Sequence, residues 1–500
     1  MAKRRTSLPN IVINLDGASA DPLYRRLYDE LRGAILAGKL VPGSRLPSTR
    51  ELATELGLSR TTVLNAFDQL IAEGYVEGHT GVGTYVSRSL PEDLLHIRAK
   101  TVDLAKRSSP RRTLSRRGER LAATPVTIAQ HVDKPRPFRS GIPALDLFPF
   151  TTWARLTSQR WRTASYELLQ YGDPAGYRPL RQAIAAYLGA SRAVRCEADQ
   201  VIVVAGSQQA LEIAAQVLLD PGDAVWVEDP GYLGARGAML GAGARLVPVP
   251  VNEEGLDVAE GIKRSASAHV ACVSPSHQFP LGMIMSLTRR LALLEWAVGC
   301  GGWIIEDDYD SEYRYAGRPV ASLQGLDTQG RVIYIGTFSK VLFPSLRLGY
   351  IVAPPDLVEP FIKARAIFDR HSPTIEQAVL ADFINEGHFA RHIRLMRTFY
   401  AERQEVLVKE IKNKLDGLLE VRPDEAGMHL IAWLPNDIRD TVTSERAAAH
   451  GVEVGALSNY SLEQKMRNAL ILGYAAYNSK EIRKGVRQLS EILLNPENPV

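Results

Sequence analysis

Gly336-Thr337-Phe338-Ser339-Lys340, followed by Leu346-Arg347-Leu348-Gly349-Tyr350, is the stretch on which the reading of this chain turns. The preceding run, Arg331–Ile335, is apolar from Val332 onward and reads as a buried strand. Lys340 therefore stands just beyond a strand end and a short polar turn, where open α/β sheets place their ligand contacts. Thr337, Ser339 and Arg347 around it supply two hydroxyls and a guanidinium, the groups that make a cup for a phosphate. A lone lysine is ordinarily a solvated surface charge; what surrounds this one decides against that.

Working outward, further apolar runs at Val201–Ala205, Ala224–Glu228, Arg245–Val249, Val270–Ser274 and Gly302–Glu306 alternate with helical patterns. They predict a parallel sheet covered by helices, followed from about Asp369 by a long helix and a smaller α+β unit. Asp307 and Tyr309 follow the strand Trp303-Ile304-Ile305. Gly206-Ser207-Gln208 lies between a strand and an Ala- and Leu-rich helix, where backbone amides suit phosphate. Tyr232 lies in Glu228-Asp229-Pro230-Gly231-Tyr232. Pyridoxal 5'-phosphate asks for this set: a lysine for a Schiff base, a carboxylate for the pyridine nitrogen, and donors for the phosphate. Asp307 is the candidate for the ring nitrogen, Tyr309 for the ring hydroxyl, and Tyr232 for the ring face. Taken singly, Asp307 could be one of several turn acids, Tyr232 could simply pack, and Gly-Ser could merely cap a helix. Their joint occurrence at strand ends favours the coenzyme.

The N-terminal part has a different grammar. Leu23, Leu27, Leu31 and Ile35 have helical spacing between Pro22 and Gly38. Ser48 caps a short helix, Thr49 to Leu56, that Gly57 stops; Ser59 caps another, Arg60 to Glu73, with Val63, Phe67 and Leu70 inward. Tyr75–Glu77 and Thr84–Val86 read as short strands about a glycine-rich tip. A short supporting helix, a tight turn and a second helix with small polar residues at its start make a helix-turn-helix, and the strands add a wing. Ser59, Arg60, Thr61 and Thr62 would face the groove, Arg50 the backbone, and Thr80 and Gly81 the minor groove.

The net charge of +4 is nearly neutral, but basic residues crowd the first part of the chain, from Lys3 to Arg60 and again from Arg98 to Arg120. That bias favours a polyanionic partner. From Arg88 to about Pro137, Pro, Ser and Arg dominate, which predicts a basic flexible linker, with at most a transient helix. Cys196, Cys272 and Cys300 are far apart and lack metal-ligand spacing, so no metal site is expected and reduced thiols in a cytoplasmic protein are. No apolar run reaches membrane-spanning length, and no apolar segment follows the basic N-terminus, so neither a membrane span nor a signal peptide is expected.

Leu46-Pro47-Ser48-Thr49-Arg50-Glu51-Leu52-Ala53, Ser59-Arg60-Thr61-Thr62-Val63, Glu73-Gly74-Tyr75-Val76 and Gly81-Val82-Gly83-Thr84-Tyr85-Val86 resemble the GntR family of winged-helix regulators. Tyr171-Gly172-Asp173-Pro174-Ala175-Gly176, Gly206-Ser207-Gln208, Glu306-Asp307-Asp308-Tyr309 and Phe338-Ser339-Lys340 look like the class I aminotransferases of fold type I. Together they resemble the MocR/GabR subfamily of transcription regulators. The resemblance implies a DNA-binding domain at 20–88, a basic flexible linker at 89–137 and an aminotransferase class I/II-like domain at 138–495. It implies that Lys340 carries the coenzyme and that Ser207, Gln208, Thr337, Ser339 and Arg347 bind its phosphate. It implies too that Tyr171 reaches the phosphate of a neighbouring subunit in a head-to-tail homodimer. Two departures stand out. His277-Gln278-Phe279-Pro280-Leu281-Gly282 has no Asn before its proline, and Ile471 stands where the aminotransferases carry an arginine for the substrate α-carboxylate.

The expected function is a pyridoxal-phosphate-dependent regulator. It would bind double-stranded operator DNA and sense an amine or amino-acid effector, or the coenzyme itself, through Lys340. Its enzyme fold would serve as a sensor. The alternative is a working aminotransferase with an accessory DNA-binding domain.

Overall fold

The computed structural model describes residues 13, 15, 21–79, 82–90, 113–124, 136–316 and 320–494. They fall into two compact units, Met1–Arg112 and Thr113–Val500.

The first unit is three helices and a wing. Helix α1 (Leu23–Leu36) buries Leu27, Tyr28, Leu31, Ala34 and Ile35. Leu23, which the spacing puts on that face, is instead exposed, because the first turn projects beyond the core. Helix α2 (Thr49–Leu56) begins in a reciprocal capping box: the Ser48 hydroxyl accepts from Glu51 N, and Ser48 N donates to the Glu51 carboxylate. Helix α3 (Arg60–Ala72) buries Val63, Ala66, Phe67 and Leu70 against α1 and α2. Strands β1 (Val76–His79) and β2 (Gly83–Val86) pair antiparallel, Val76 opposite Val86. A third extended piece runs beside β2, with Leu46 N bonded to Thr84 O and Val86 N to Ser44 O. The sequence pattern missed it because Pro47 and Gly43 mask its strand character.

In the second unit, strands β3 (Val201–Val204), β4 (Ala224–Asp229), β5 (Arg245–Asn252), β6 (Gly255–Leu256), β7 (Val270–Val273), β8 (Trp303–Asp308), β9 (Val332–Thr337) and β10 (Gly349–Val352) form one sheet in the order β3-β10-β9-β8-β7-β4-β5-β6. The six longer predicted strands are all present. The sheet is parallel from β9 to β5, but β10 runs antiparallel between β3 and β9, and β6 closes the far edge antiparallel. Helices on both sides cover it, which is why β3, β4, β7, β9 and β10 are buried along their whole length and mostly apolar, with Glu228 and Asp229 ending β4 and Thr337 ending β9. The long predicted helix is two, Thr374–Asn385 and His388–Lys414, broken at Gly387. A four-stranded antiparallel sheet follows: β11 (Glu420–Val421), β12 (His429–Trp433), β14 (Ala469–Gly473) and β13 (Gly455–Ala456), in that order.

The predicted linker is not uniformly open. Arg116–Ala123 is a helix capped by Ser115, whose hydroxyl accepts from Gly118 N at 3.0 Å. Leu121 packs so closely on the helix Leu233–Ala242 that a Cβ on Gly241 would lie 3.1 Å from it. A helix cap and the contact of the half-exposed Leu121 thus give structure to a segment whose composition suggests disorder. No helix among the described residues is long and apolar enough to cross a membrane.

Candidate functional site

Strand alternation selects the acid of the site. Along β8, Glu306 and Asp308 point to one face and Asp307 to the other. Glu306 accepts from Leu323 N and Gln324 N, both at 2.8 Å. Asp308 meets the Arg192 guanidinium at 2.8 Å and accepts from the Tyr334 hydroxyl at 2.6 Å. Asp307, equally buried, has no hydrogen-bond partner at Oδ1. Burial, with Asp308 adding to it, pushes its carboxyl up to about 7, against the pull of Lys340. These are strand residues, not turn acids.

The Asp307 face opens on a cavity of about 660 Å³. Lys340, just past the end of the neighbouring strand β9, lines it too, with Tyr309, Tyr232 and Ser207. The Lys340 ammonium donates to the Gly141 carbonyl at 2.9 Å. Burial lowers its pKa from the ordinary lysine value; Asp310 and Asp307 oppose that shift, and Arg139 and Arg347 add to it. Tyr309 sits 3.0 Å from His277 Nδ1, which also meets Asp310 at 3.0 Å. Burial disfavours charge on His277, but Asp310 and Asp424 outweigh it and raise the imidazole to about 10. Tyr309 is thus held from behind by a cation, with burial, Asp310 and Asp307 keeping its own hydroxyl protonated.

The phosphate candidates are unevenly placed. Ser207 opens the helix Ser207–Leu218, and Gly206 before it has φ 94°. The Arg347 guanidinium lies over Gly206, 3.3 Å from where a Cβ there would sit. Arg347 itself is left-handed at φ 50°, a cap between a short helical turn and β10, not part of an extended stretch. The Ser339 hydroxyl is buried and unpartnered, as an anion donor in waiting should be. The Thr337 hydroxyl accepts from Ser339 N at 3.2 Å, and so shapes the turn. The Gln208 amide donates to Gly234 O at 3.1 Å, and of the five phosphate candidates only Ser207 lines the cavity; Gln208, Thr337, Ser339 and Arg347 are not among its lining residues. Tyr171 also lies away from it, 78% exposed beneath the Arg370 guanidinium.

Arg236 is buried and bonded to the Tyr460 and Glu228 carbonyls, 3.6 Å from Asp229. It is not in the cavity. Ile471 is fully buried in β14, opposite Ile431 and Gly455. Arg139, Phe279, His429 and Glu453 do line the cavity and were missed. They come from the segment before the first large helix, from a loop after β7, from β12 of the small sheet and from the loop before β13, and nothing local in the sequence joins them.

In the first unit, Arg50, Arg60 and Thr61 are exposed along the start of α2 and α3. Ser59 is exposed too, but its hydroxyl accepts from Thr62 N at 3.1 Å and meets Thr62 Oγ1 at 2.8 Å. Its first duty is the helix cap. Thr80 and Gly81 lie outside the described residues.

A family model described as "Bacterial regulatory proteins, gntR family" matches residues 23–86, and one described as "Aminotransferase class I and II" matches residues 138–489. The chain is 43% identical to the "Probable rhizopine catabolism regulatory protein MocR" of Rhizobium meliloti, over 97% of this chain and 96% of that one. It is 29% identical to the "HTH-type pyridoxine biosynthesis transcriptional regulator PdxR" of Corynebacterium glutamicum, over 97% and 99%. Among solved structures, the α-aminoadipate aminotransferase LysN of Thermus thermophilus, complexed with N-(5'-phosphopyridoxyl)-L-leucine, superposes with a TM-score of 0.67 at 29% identity, covering 72% of this chain and 92% of that one. The chain belongs to the MocR/GabR subfamily of GntR-family transcription regulators, in which a winged helix-turn-helix precedes a class I and II aminotransferase domain.

Proposed function

We propose that this protein is a pyridoxal 5'-phosphate-dependent transcription regulator that reads operator DNA with its first unit and senses an amine, or the coenzyme itself, with its second. The observation that carries the coenzyme assignment is the pairing of Lys340 with an unpartnered, buried Asp307 oxygen at the ends of two adjacent strands. A ring N–H is the partner that Asp307 Oδ1 lacks. Bound there, the coenzyme supplies an electron-accepting ring for amine chemistry. Lys340 Nζ provides the amine that holds it; Tyr309 donates toward its ring hydroxyl; Ser207, Ser339 and Arg347 take its phosphate, with the backbone N–H groups that open the helix Ser207–Leu218. Pocket occupancy then couples to operator affinity. The protein acts in the cytoplasm, where its DNA is, as a homodimer.

The purified protein should show the near-ultraviolet band of lysine-bound coenzyme and should retard its own upstream DNA. A Lys340→Ala protein that keeps the band would overturn the assignment.

A working aminotransferase is the second reading. It is favoured by 31% identity to the "Aromatic-amino-acid aminotransferase 1" of Thermococcus litoralis, which matches 71% of this chain. The regulators match the chain almost end to end, head included. Multiple turnovers at about 1 s⁻¹ or more would establish the enzyme instead.

A further inference from the structure

Arg139, Ser140, Ser444, Glu453, Asn459 and Tyr460 also line the cavity. Two of these are fixed to one small clamp. Phe138 bridges to Gly473 at the end of β14, with Gly473 N donating to Phe138 O at 2.8 Å. The absence of a side chain at Gly473 is what admits this segment: a Cβ there would lie 2.3 Å from the Arg139 carbonyl oxygen. Glu453 N in turn donates to Pro137 O at 2.9 Å. The clamp sets the Arg139 guanidinium 3.3 Å from the Glu453 carboxylate, at the cavity wall.

That pair decides the charge a ligand meets. Among the described lining residues, the groups able to carry positive charge are Lys340, Arg139 and His429. Lys340 is the coenzyme's lysine, a step that rests on the function proposed above. His429 is held neutral, because burial and the nearby His277 lower it to about 4, and its Nε2 is bonded to Pro280 O at 2.8 Å. Arg139 is already answered by Glu453. A ligand carboxylate would have to displace Glu453 and then face it as a like charge. Hydroxyl groups meet no such barrier; Glu453, Ser140, Ser444 and Asn459 offer them acceptors and donors.

We propose that the Arg139–Glu453 pair makes this cavity a receptor for primary amines that bear hydroxyl groups and no carboxylate, with the Glu453 carboxylate occupying the guanidinium that a ligand carboxylate would otherwise use.

Serinol and serine test this, since they differ only in a hydroxymethyl group against a carboxylate. Each is titrated into the full-length, coenzyme-loaded protein by calorimetry, with the coenzyme absorbance followed in parallel. Wild type should prefer serinol by about tenfold or more. Glu453→Gln should shift the ratio toward serine by about tenfold, because it uncovers Arg139. Arg139→Gln, the second variant, should abolish serine binding and keep serinol binding. Wild type preferring serine, or a ratio unmoved in a Glu453→Gln protein with a wild-type melting curve, overturns the proposal. Retention of the coenzyme band by Lys340→Ala overturns the coenzyme assignment instead, so the two failures are told apart.

Discussion

The Lys340 ammonium donates to the carbonyl oxygen of Gly141, and Gly141 is the residue whose geometry allows it. Gly141 has φ 76°, and a Cβ there would lie 2.8 Å from Lys340 Nζ. Attachment of the coenzyme needs a neutral amine. Since burial lowers the pKa of Lys340, the neutral fraction at a given pH exceeds that of a free lysine. The rate of coenzyme attachment, followed by absorbance, should therefore rise with pH and level off below the ordinary lysine value of 10.5. Gly141→Ala combines left-handed strain of about 1–3 kcal/mol with a clash at the amine, and should slow attachment by about tenfold or more. Attachment unchanged in that variant would remove Gly141 from the site.

Asp307 makes a stability prediction whose sign is opposite to that of an ordinary salt-bridged acid. Its folded value is raised from 3.8 to about 7, so the folded protein keeps a proton that the unfolded chain has lost. Stability from this group therefore falls as pH rises through that window. Asp307→Asn cannot ionise. Without coenzyme, it should melt higher than wild type at about pH 8, by an amount on the order of 1–3 kcal/mol, and the gap should close toward about pH 4. With coenzyme present, the order should reverse, because the variant offers no anion to the ring nitrogen. Melting curves of both proteins at the two pH values, with and without coenzyme, check this.

The large elements were legible because their physics is local. Strands covered by helices are rich in apolar residues, so β3, β4, β5, β7, β8 and β9 stand out as runs, and the ends of β8 and β9 point to Asp307 and Lys340. The antiparallel β10 does not stand out as a strand of its own because it spans only four residues, Gly349–Val352, and begins with a glycine. A sequence shows residue types and not rotamers: in the fold the Thr337 hydroxyl accepts from Ser339 N and the Gln208 amide donates to Gly234 O, contacts that no residue pattern announces. Arg139 and Glu453 were invisible for a different reason. They meet only because Phe138 adds to the end of β14, more than three hundred residues along the chain. No periodicity encodes such a contact.

Ser59 and Arg60 are adjacent at the start of α3, yet their substitution should do different things. The Ser59 hydroxyl caps the helix, so Ser59→Ala should cost about 1 kcal/mol of stability in the first unit. The Arg60 side chain is exposed, so Arg60→Ala should leave stability nearly unchanged and cost about 1–3 kcal/mol in operator affinity if it reads a base. Loss at phosphates alone would instead lower affinity evenly across sequences and flatten the salt dependence by about one phosphate's worth. Fluorescence anisotropy on operator and scrambled DNA at two salt concentrations separates the cases.

Around Tyr171 the second unit leaves an unusual amount of apolar surface to solvent. Ile367 is 85% exposed, Tyr166 81%, and Leu169 60%, and Arg370 covers one face of the Tyr171 ring at 4.8 Å. Exposed apolar side chains of this size suit an interaction surface, and a second copy of the chain is the partner that would bring Tyr171 to a neighbouring phosphate cup. Ile367→Asp buries a charge in such an interface, and should convert the dimer to monomer in sedimentation equilibrium at micromolar protein. Coenzyme affinity should fall with it. A mixing experiment makes the dependence explicit: Tyr171→Ala and Lys340→Ala proteins, each weak alone, should together recover coenzyme binding, since a mixed dimer holds one site with both residues intact. A wild-type protein that sediments as a monomer, or mixtures that recover nothing, would place each site within a single chain.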